Sequence, residues 1–256
     1  MTLQEYYKFP EGSNAILKFA PNWLIENSNV PCPSDLYYGF SYYKGTYIPP
    51  LNTSNVEGMA AMFSHCENLT YIDGIDNWDV SKVGDMSFLF SSCKSLPSFK
   101  LKGWNLRVAF NMSNMFDGCS NITSIDLSEV DTSNISNMNN MFSGCNKLKT
   151  ISAIRADSLS IPSYQSPFGS STNNVLTDFG GFINLKSSWN GSYCLDKLTA
   201  LSHQSLVNIL NGLYDFTGNG INPNSNQGKI KFGPTHLANL SDEEKAIATN
   251  KGWVLS

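Results

Sequence analysis

Between Asn111 and Ile151 the chain writes one pattern twice. Met112, Met115, Phe116, Cys119, Ile122 and Ile125 recur 26 residues on as Met138, Met141, Phe142, Cys145, Leu148 and Ile151. The same pattern extends upstream through Met86, Leu89, Phe90, Cys93, Leu96 and Phe99 to Met59, Met62, Phe63, Cys66, Leu69 and Ile72, with one step of 27. A fixed period of this length restricts the fold more than any composition does. Each unit is too small to bury its own apolar edge and must stack on its neighbours. The expectation is therefore an α/β solenoid, a leucine-rich-repeat coil of short parallel strands and helical turns.

Within one unit, Met112, Met115, Phe116 and Cys119 are spaced i, i+3, i+4, i+7, which predicts a short helix or helical turn with those side chains on its inner face. The predicted core ladder is Met62, Phe63 and Cys66, then Phe90 and Cys93, then Met115, Phe116 and Cys119, then Met141, Phe142 and Cys145. The following Ile122, Ile125 and Leu127 fit the LxxLxL spacing of a strand that stacks in parallel on the next rung. Polar connections such as WDVSKVGDM (78–86) and VDTSNISNM (130–138) suit turns and carry an apolar Val83 or Ile135. Four of the six cysteines share one repeat position, where a buried thiol serves as a small hydrophobe. A zinc site would need converging ligands and short CxxC pairs, and no partner is assigned to Cys32 or Cys194.

Three regions follow. Residues 1–46 are rich in Tyr, Phe and Trp and read as an aromatic N-terminal cap or attachment segment covering the first rung's apolar edge; rings such as Tyr42 and Tyr43 also suit contact with a partner or a sugar ring. Residues 47–190 form the repeat solenoid, with a long surface loop predicted over Ala156–Asn174 and a degenerate rung over Val175–Leu185. Residues 191–256 form an α+β C-terminal cap of helix, strand, helix and strand. Ser202 caps the first helix, Lys229–Phe232 is a strand, Ser241 and Glu244 make a capping box for a helix to about Asn250, and Trp253–Leu255 is the last strand.

Charged residues make up only 15% of the chain and the net charge is -4, so no basic surface exists to neutralise phosphates and nucleic acid is not an expected partner. No apolar run approaches the ~18 residues of a membrane span, so membrane insertion is not expected. The first residues show neither a basic start followed by an apolar run nor a small-residue cleavage site, which predicts a chain not addressed to the secretory route. His65, His203 and His236 are scattered, and His65 is expected to face solvent because Ser92, Gly118 and Gly144 hold the same repeat position. Ser202 and His203 are adjacent on a helix and do not face each other. Phosphate-loop, HExxH and EF-hand patterns are missing, so no catalytic, cofactor-binding or metal-binding residue is assigned and no cofactor is expected. The candidate binding residues lie on the outer strand face: Tyr71, Asp73, Lys100, Asp126 and Lys149. The loop over Pro162–Asn174 is the other candidate.

The repeated MFxxC followed by LxxLxL, from about Tyr47 onward, resembles the BspA-like leucine-rich repeats of surface proteins from gut anaerobes, protists and mycoplasmas. The tail, LTALSHQSLVNILNGLYD and then THLANLSDEEKAIATNKGW, is similar to the closing segment of such proteins in gut bacteria and their phages. The resemblance implies a non-enzymatic structural and recognition protein. The leading expectation is a phage virion display, fibre or tail-associated component that contacts other virion subunits or a host-surface protein or glycan. A bacterial cell-surface adhesin is the alternative, and a polysaccharide-degrading enzyme a distant third.

Overall fold

A computed structural model describes residues 31–158, 166–169, 173, 175–185, 192–195, 198–217 and 228–255. Strands β1 (Tyr47–Ile48), β2 (Tyr71–Ile72), β3 (Phe99–Lys100), β4 (Ser124–Asp126), β5 (Thr150–Ile151) and β7 (Asp178–Phe179) occupy equivalent places in successive units. β1 pairs with β2, and β3, β4, β5 and β7 pair in that order, every ladder parallel. Alongside, β6 (Ile154–Arg155) pairs with β8 (Phe182–Ile183). Alternation along each strand turns Ile48, Ile72, Phe99, Ile125, Ile151 and Phe179 inward, where all six are buried.

The opposite side of each rung departs from the expected helix. Met62 N–H donates to Met59 O and Cys66 N–H to Phe63 O, closing two tight turns, while Ala61, Phe63 and His65 donate to Ser87, Leu89 and Ser91 of the next rung. Alternate amides thus point within the rung and along the stack. A helix would keep all of them within the rung, leaving the neighbour's carbonyls unpaired. The alternation requires left-handed residues, met at Ala61 (φ 54°) and His65 (φ 61°) and, two rungs on, at Asn114 (56°) and Gly118 (72°). The apolar spacing survives the change, because Met59, Met62, Phe63 and Cys66 are all fully buried.

Inside, one phenylalanine per rung forms a ladder: Phe40, Phe63, Phe90, Phe116, Phe142 and Phe168, with successive ring centroids 5.2–6.4 Å apart. Each repeat thiol donates to the phenylalanine carbonyl one rung back: Cys66 to Phe40 O, Cys93 to Phe63 O, Cys119 to Phe90 O and Cys145 to Phe116 O, at 3.0–3.1 Å. Cysteine is therefore more than a small filler, since its thiol occupies the second lone pair of a carbonyl already bonded within its own rung. Cys32 is likewise buried and free.

Two segments pack differently from their sequence reading. Residues 35–46 run in register with the next unit, Leu36 N–H bonding to Gly58 O and Phe40 N–H to Met62 O. Within the predicted loop, Phe168 is buried against Phe142, and Phe142 N–H donates to Pro167 O; Ile161–Gln165 lie outside the described residues, as do residues 1–30.

At the C-terminal end, β9 (Ser192–Cys194), β10 (Gly228–Lys231) and β11 (Trp253–Leu255) form a parallel sheet in the order β11-β10-β9. Helix α1 (His203–Asn211) starts at Ser202, whose hydroxyl accepts from Ser205 N–H. It seats on the last rung through Phe179 N–H to Ser205 Oγ, at 2.9 Å, and Ser202 N–H to Thr177 O. Helix α3 (Asp242–Asn250) carries the predicted capping box of Ser241 and Glu244. The short α2 (Pro234–Ala238) between them was not foreseen; its His236 is buried with Nε2 2.6 Å from Leu198 O. Lys251 Nζ donates to Leu210, Asn211 and Leu213 carbonyls at the end of α1, satisfying groups that a helix leaves open.

Two outcomes test this packing. Phe90→Ala removes the centre of the phenylalanine ladder and is expected to cost about 3–5 kcal/mol in chemical denaturation. Burial pushes the Cys119 thiol up to about 12 and the Cys32 thiol up to about 11, and raises Cys93 and Cys145. Unfolded thiols ionise near their ordinary value of roughly 8.5, so over that window the unfolded chain holds fewer protons than the folded one. The thiols' contribution to stability is thus intact below that value and lost as pH rises toward about 12. The thermal midpoint should fall across that range, less steeply in Cys119→Ala.

Candidate functional site

Two tyrosines and one carboxylate organise the outer strand face. Register sets Tyr47 beside Tyr71, and their rings stack at 6.0 Å with 22° between planes. Both hydroxyls donate to Asp73, Tyr47 Oη to Oδ2 at 3.2 Å and Tyr71 Oη to Oδ1 at 3.3 Å. One carboxylate thereby pins two rings whose surfaces remain 40% and 57% exposed. The Asp73 charge, followed by partial desolvation, holds the Tyr71 phenol above its ordinary value, whereas for Tyr47 desolvation leads and the hydrogen bond to Asp73 follows.

Immediately beyond this pair the sheet is broken, because β2 does not pair with β3. The first cause is one missing donor. At one repeat position Thr70 N–H donates to Thr46 O, Thr123 to Pro97 O, Lys149 to Thr123 O and Thr177 to Lys149 O; Pro97 holds that position in the third rung and has no N–H to offer Thr70. The second cause is the extra residue of the 27-residue step. It is taken up after Ile72 in a 3₁₀ turn, Ile75–Asn77, entered through Gly74 at φ 65°. The break leaves a groove of about 260 Å³ lined by Tyr71, Ile75, Asp76, Pro97, Phe99 and Lys100 among others.

The predicted residues divide accordingly. Tyr71 and Lys100 line the groove and Asp73 braces its tyrosine wall. Asp126 joins through Lys100, whose Nζ lies 3.3 Å from Asp126 and 3.0 Å from Glu129. Hydrogen bonds to these two carboxylates, Glu129 first, raise the lysine's pKa. Lys149 is exposed on a later rung and does not line the groove. Tyr47, Ile75 and Asp76 were not singled out by sequence, although the irregular step and Pro97 on the outer strand face marked the place.

Chemically, the groove offers a flat aromatic wall, an apolar floor and one cation. Two neighbouring carboxylates are already engaged, Asp73 by two phenols and Asp126 by Lys100 and Ser128, whose hydrogen bonds lower its pKa most, while Asp76 lines the groove itself. Elsewhere, His65 is half-buried and stacked on Tyr42 rather than free in solvent. His203 pairs with Glu244 at 2.8 Å, tying α1 to α3. Among the described residues no group of three or more His, Cys, Asp or Glu could hold a metal ion, and no helix is long and apolar enough to cross a membrane.

Residues 32–155, just under half of the chain, match a family model described as "Mycoplasma protein of unknown function, DUF285". No curated protein and no solved structure matches the chain.

Asp73→Asn tests the bracing of the tyrosine wall. Ultraviolet titration of the phenols should move the Tyr71 and Tyr47 midpoints down toward ordinary tyrosine, with little change in the thermal midpoint.

Proposed function

We propose that the chain is a leucine-rich-repeat solenoid of the BspA-like type that acts as a non-enzymatic display and recognition protein. In this reading it is carried on a phage virion as a fibre, decoration or tail-associated component, and the groove beside Tyr71 engages a host-surface protein or glycan. The observation that carries the recognition role is the break between β2 and β3, where a repeat that otherwise pairs continuously opens beside a braced aromatic wall. Tyrosine presents a large contact area with little side-chain freedom to lose, and bracing by Asp73 lowers that cost further. The tail's likeness to closing segments of gut-bacterial and phage proteins supports the virion reading. The match of residues 32–155 to a mycoplasma family favours a second one, an adhesin on a bacterial cell surface.

Density-gradient separation of a producing culture, with peptides of this protein quantified in each fraction, tests the setting. Co-sedimentation with intact particles is expected, and recovery with the cell envelope would overturn the virion reading in favour of the adhesin. For the groove, Tyr71→Ala combined with Lys100→Ala should leave the fold intact and weaken binding to host cells about tenfold or more. Unchanged binding would remove the strand face from the proposal.

A further inference from the structure

A second aromatic site lies on the turn side of the stack, marked by bulky side chains where the backbone is left-handed. Tyr38 (φ 58°), Tyr42 (63°), His65 (61°) and Phe88 (57°) all sit in the left-handed region, which bulky L-residues avoid. The equivalent positions of the next two rungs hold Asn114, Gly118, Asn140 and Gly144, residue types that tolerate this conformation. Burial does not explain the difference, because Tyr38, Tyr42 and Phe88 are 48%, 57% and 43% exposed. The left-handed backbone is required by the stack, but bulky rings at these positions are demanded by neither backbone nor burial, and that choice of side chain points to a use in binding.

Their arrangement defines a slot. Tyr38, Ala61 and Phe88 form one column across three rungs, with the small Ala61 between two rings; Tyr42 and His65 form the other, their rings parallel within 4° and 4.7 Å apart. Between the columns an open cleft of about 350 Å³ is lined also by Ser64, Ser91 and Asp117, which share one repeat position. This volume falls at the lower end of small-molecule sites, roughly 300–1,000 Å³.

We infer that this slot binds a pyranose ring of a glycan, the ring's C–H face lying against the aromatic columns and its hydroxyls meeting the serines and Asp117. Aromatic faces are electron-rich and attract the weakly positive C–H groups of a sugar. Serine hydroxyls and a carboxylate offer the donors and acceptors that sugar hydroxyls need. The slot's lining includes no Lys or Arg, which disfavours a phosphorylated or acidic ligand. An apolar peptide would cover the serines and the carboxylate without satisfying them. The site shares no lining residue with the strand-face groove, so neither reading depends on the other.

Saturation-transfer NMR on the full chain tests the inference, with methyl β-pyranosides of glucose, galactose, mannose and N-acetylglucosamine as probes. Transfer to the ring protons of at least one pyranoside is expected, together with a shift of the His65 ring resonances in the unaltered protein. Tyr42→Gly and Phe88→Asn each place a tolerant residue at a left-handed position. They should keep the thermal midpoint and weaken the pyranoside about tenfold or more. Absence of transfer from all four probes, an unmoved His65, or undiminished binding in both slot variants would overturn the proposal. Loss of binding in Tyr71→Ala alone would place the sugar on the strand face and overturn it equally.

Discussion

Backbone amides that alternate between their own rung and the next are the constraint on which the rest of the structure depends. On the turn side Met62, Ser64 and Cys66 bond within the rung while Ala61, Phe63 and His65 bond forward; on the strand side Thr70 and Asp73 bond back to Thr46 and Ile48. Every rung is therefore held from both sides, and a unit too short to have its own core is completed by its neighbours. The phenylalanine ladder and the thiols follow from this geometry. A phenylalanine carbonyl that faces the next rung has a spare lone pair, and a buried cysteine thiol, small enough for the stack, fills it.

The same constraint explains where irregularity gathers. A stack of this kind tolerates a change only where the two adjoining rungs can still meet, so a missing donor at Pro97 or an added residue near Gly74 opens a local gap and leaves the remaining ladders paired. Both proposed sites occupy such departures. The strand-face groove sits where pairing lapses, and the turn-side slot sits where aromatic residues replace the Asn and Gly of later rungs. With few charges on the chain, recognition at either place would rest on ring faces, hydroxyls and shape.

The C-terminal elements answer a different need. The last rung exposes an edge, and α1 covers it by offering Ser205 Oγ to the Phe179 amide and Ser202 N–H to the Thr177 carbonyl. Helix α3 then packs against α1, and β11 against α3, with Lys251 and His203 bridging between elements. The closure resembles the terminal capping that stacked repeats require, whose outer face is polar.

Much of this was legible in the chain itself. Periodic spacing records which side chains share a direction, so Met62, Phe63, Cys66 and their successors, the inward strand residues, the Ser202 cap and the Ser241–Glu244 capping box could be read without coordinates. The turn-side backbone could not, because i, i+3, i+4, i+7 apolar spacing is satisfied equally by a helix and by two linked turns, and the choice depends on acceptors that the next rung supplies. Phe168 was read as loop because its rung lacks the Met and Cys that flag the others. Nor could spacing show that Tyr71 faces Pro97 across an unpaired boundary, or that Tyr42 lies on His65, since both relations join residues more than twenty positions apart. Sequence by itself determined the inward and outward faces, through local side-chain periodicity; tertiary structure alone decided the backbone path and the two grooves, because these are set by hydrogen bonds and contacts between rungs.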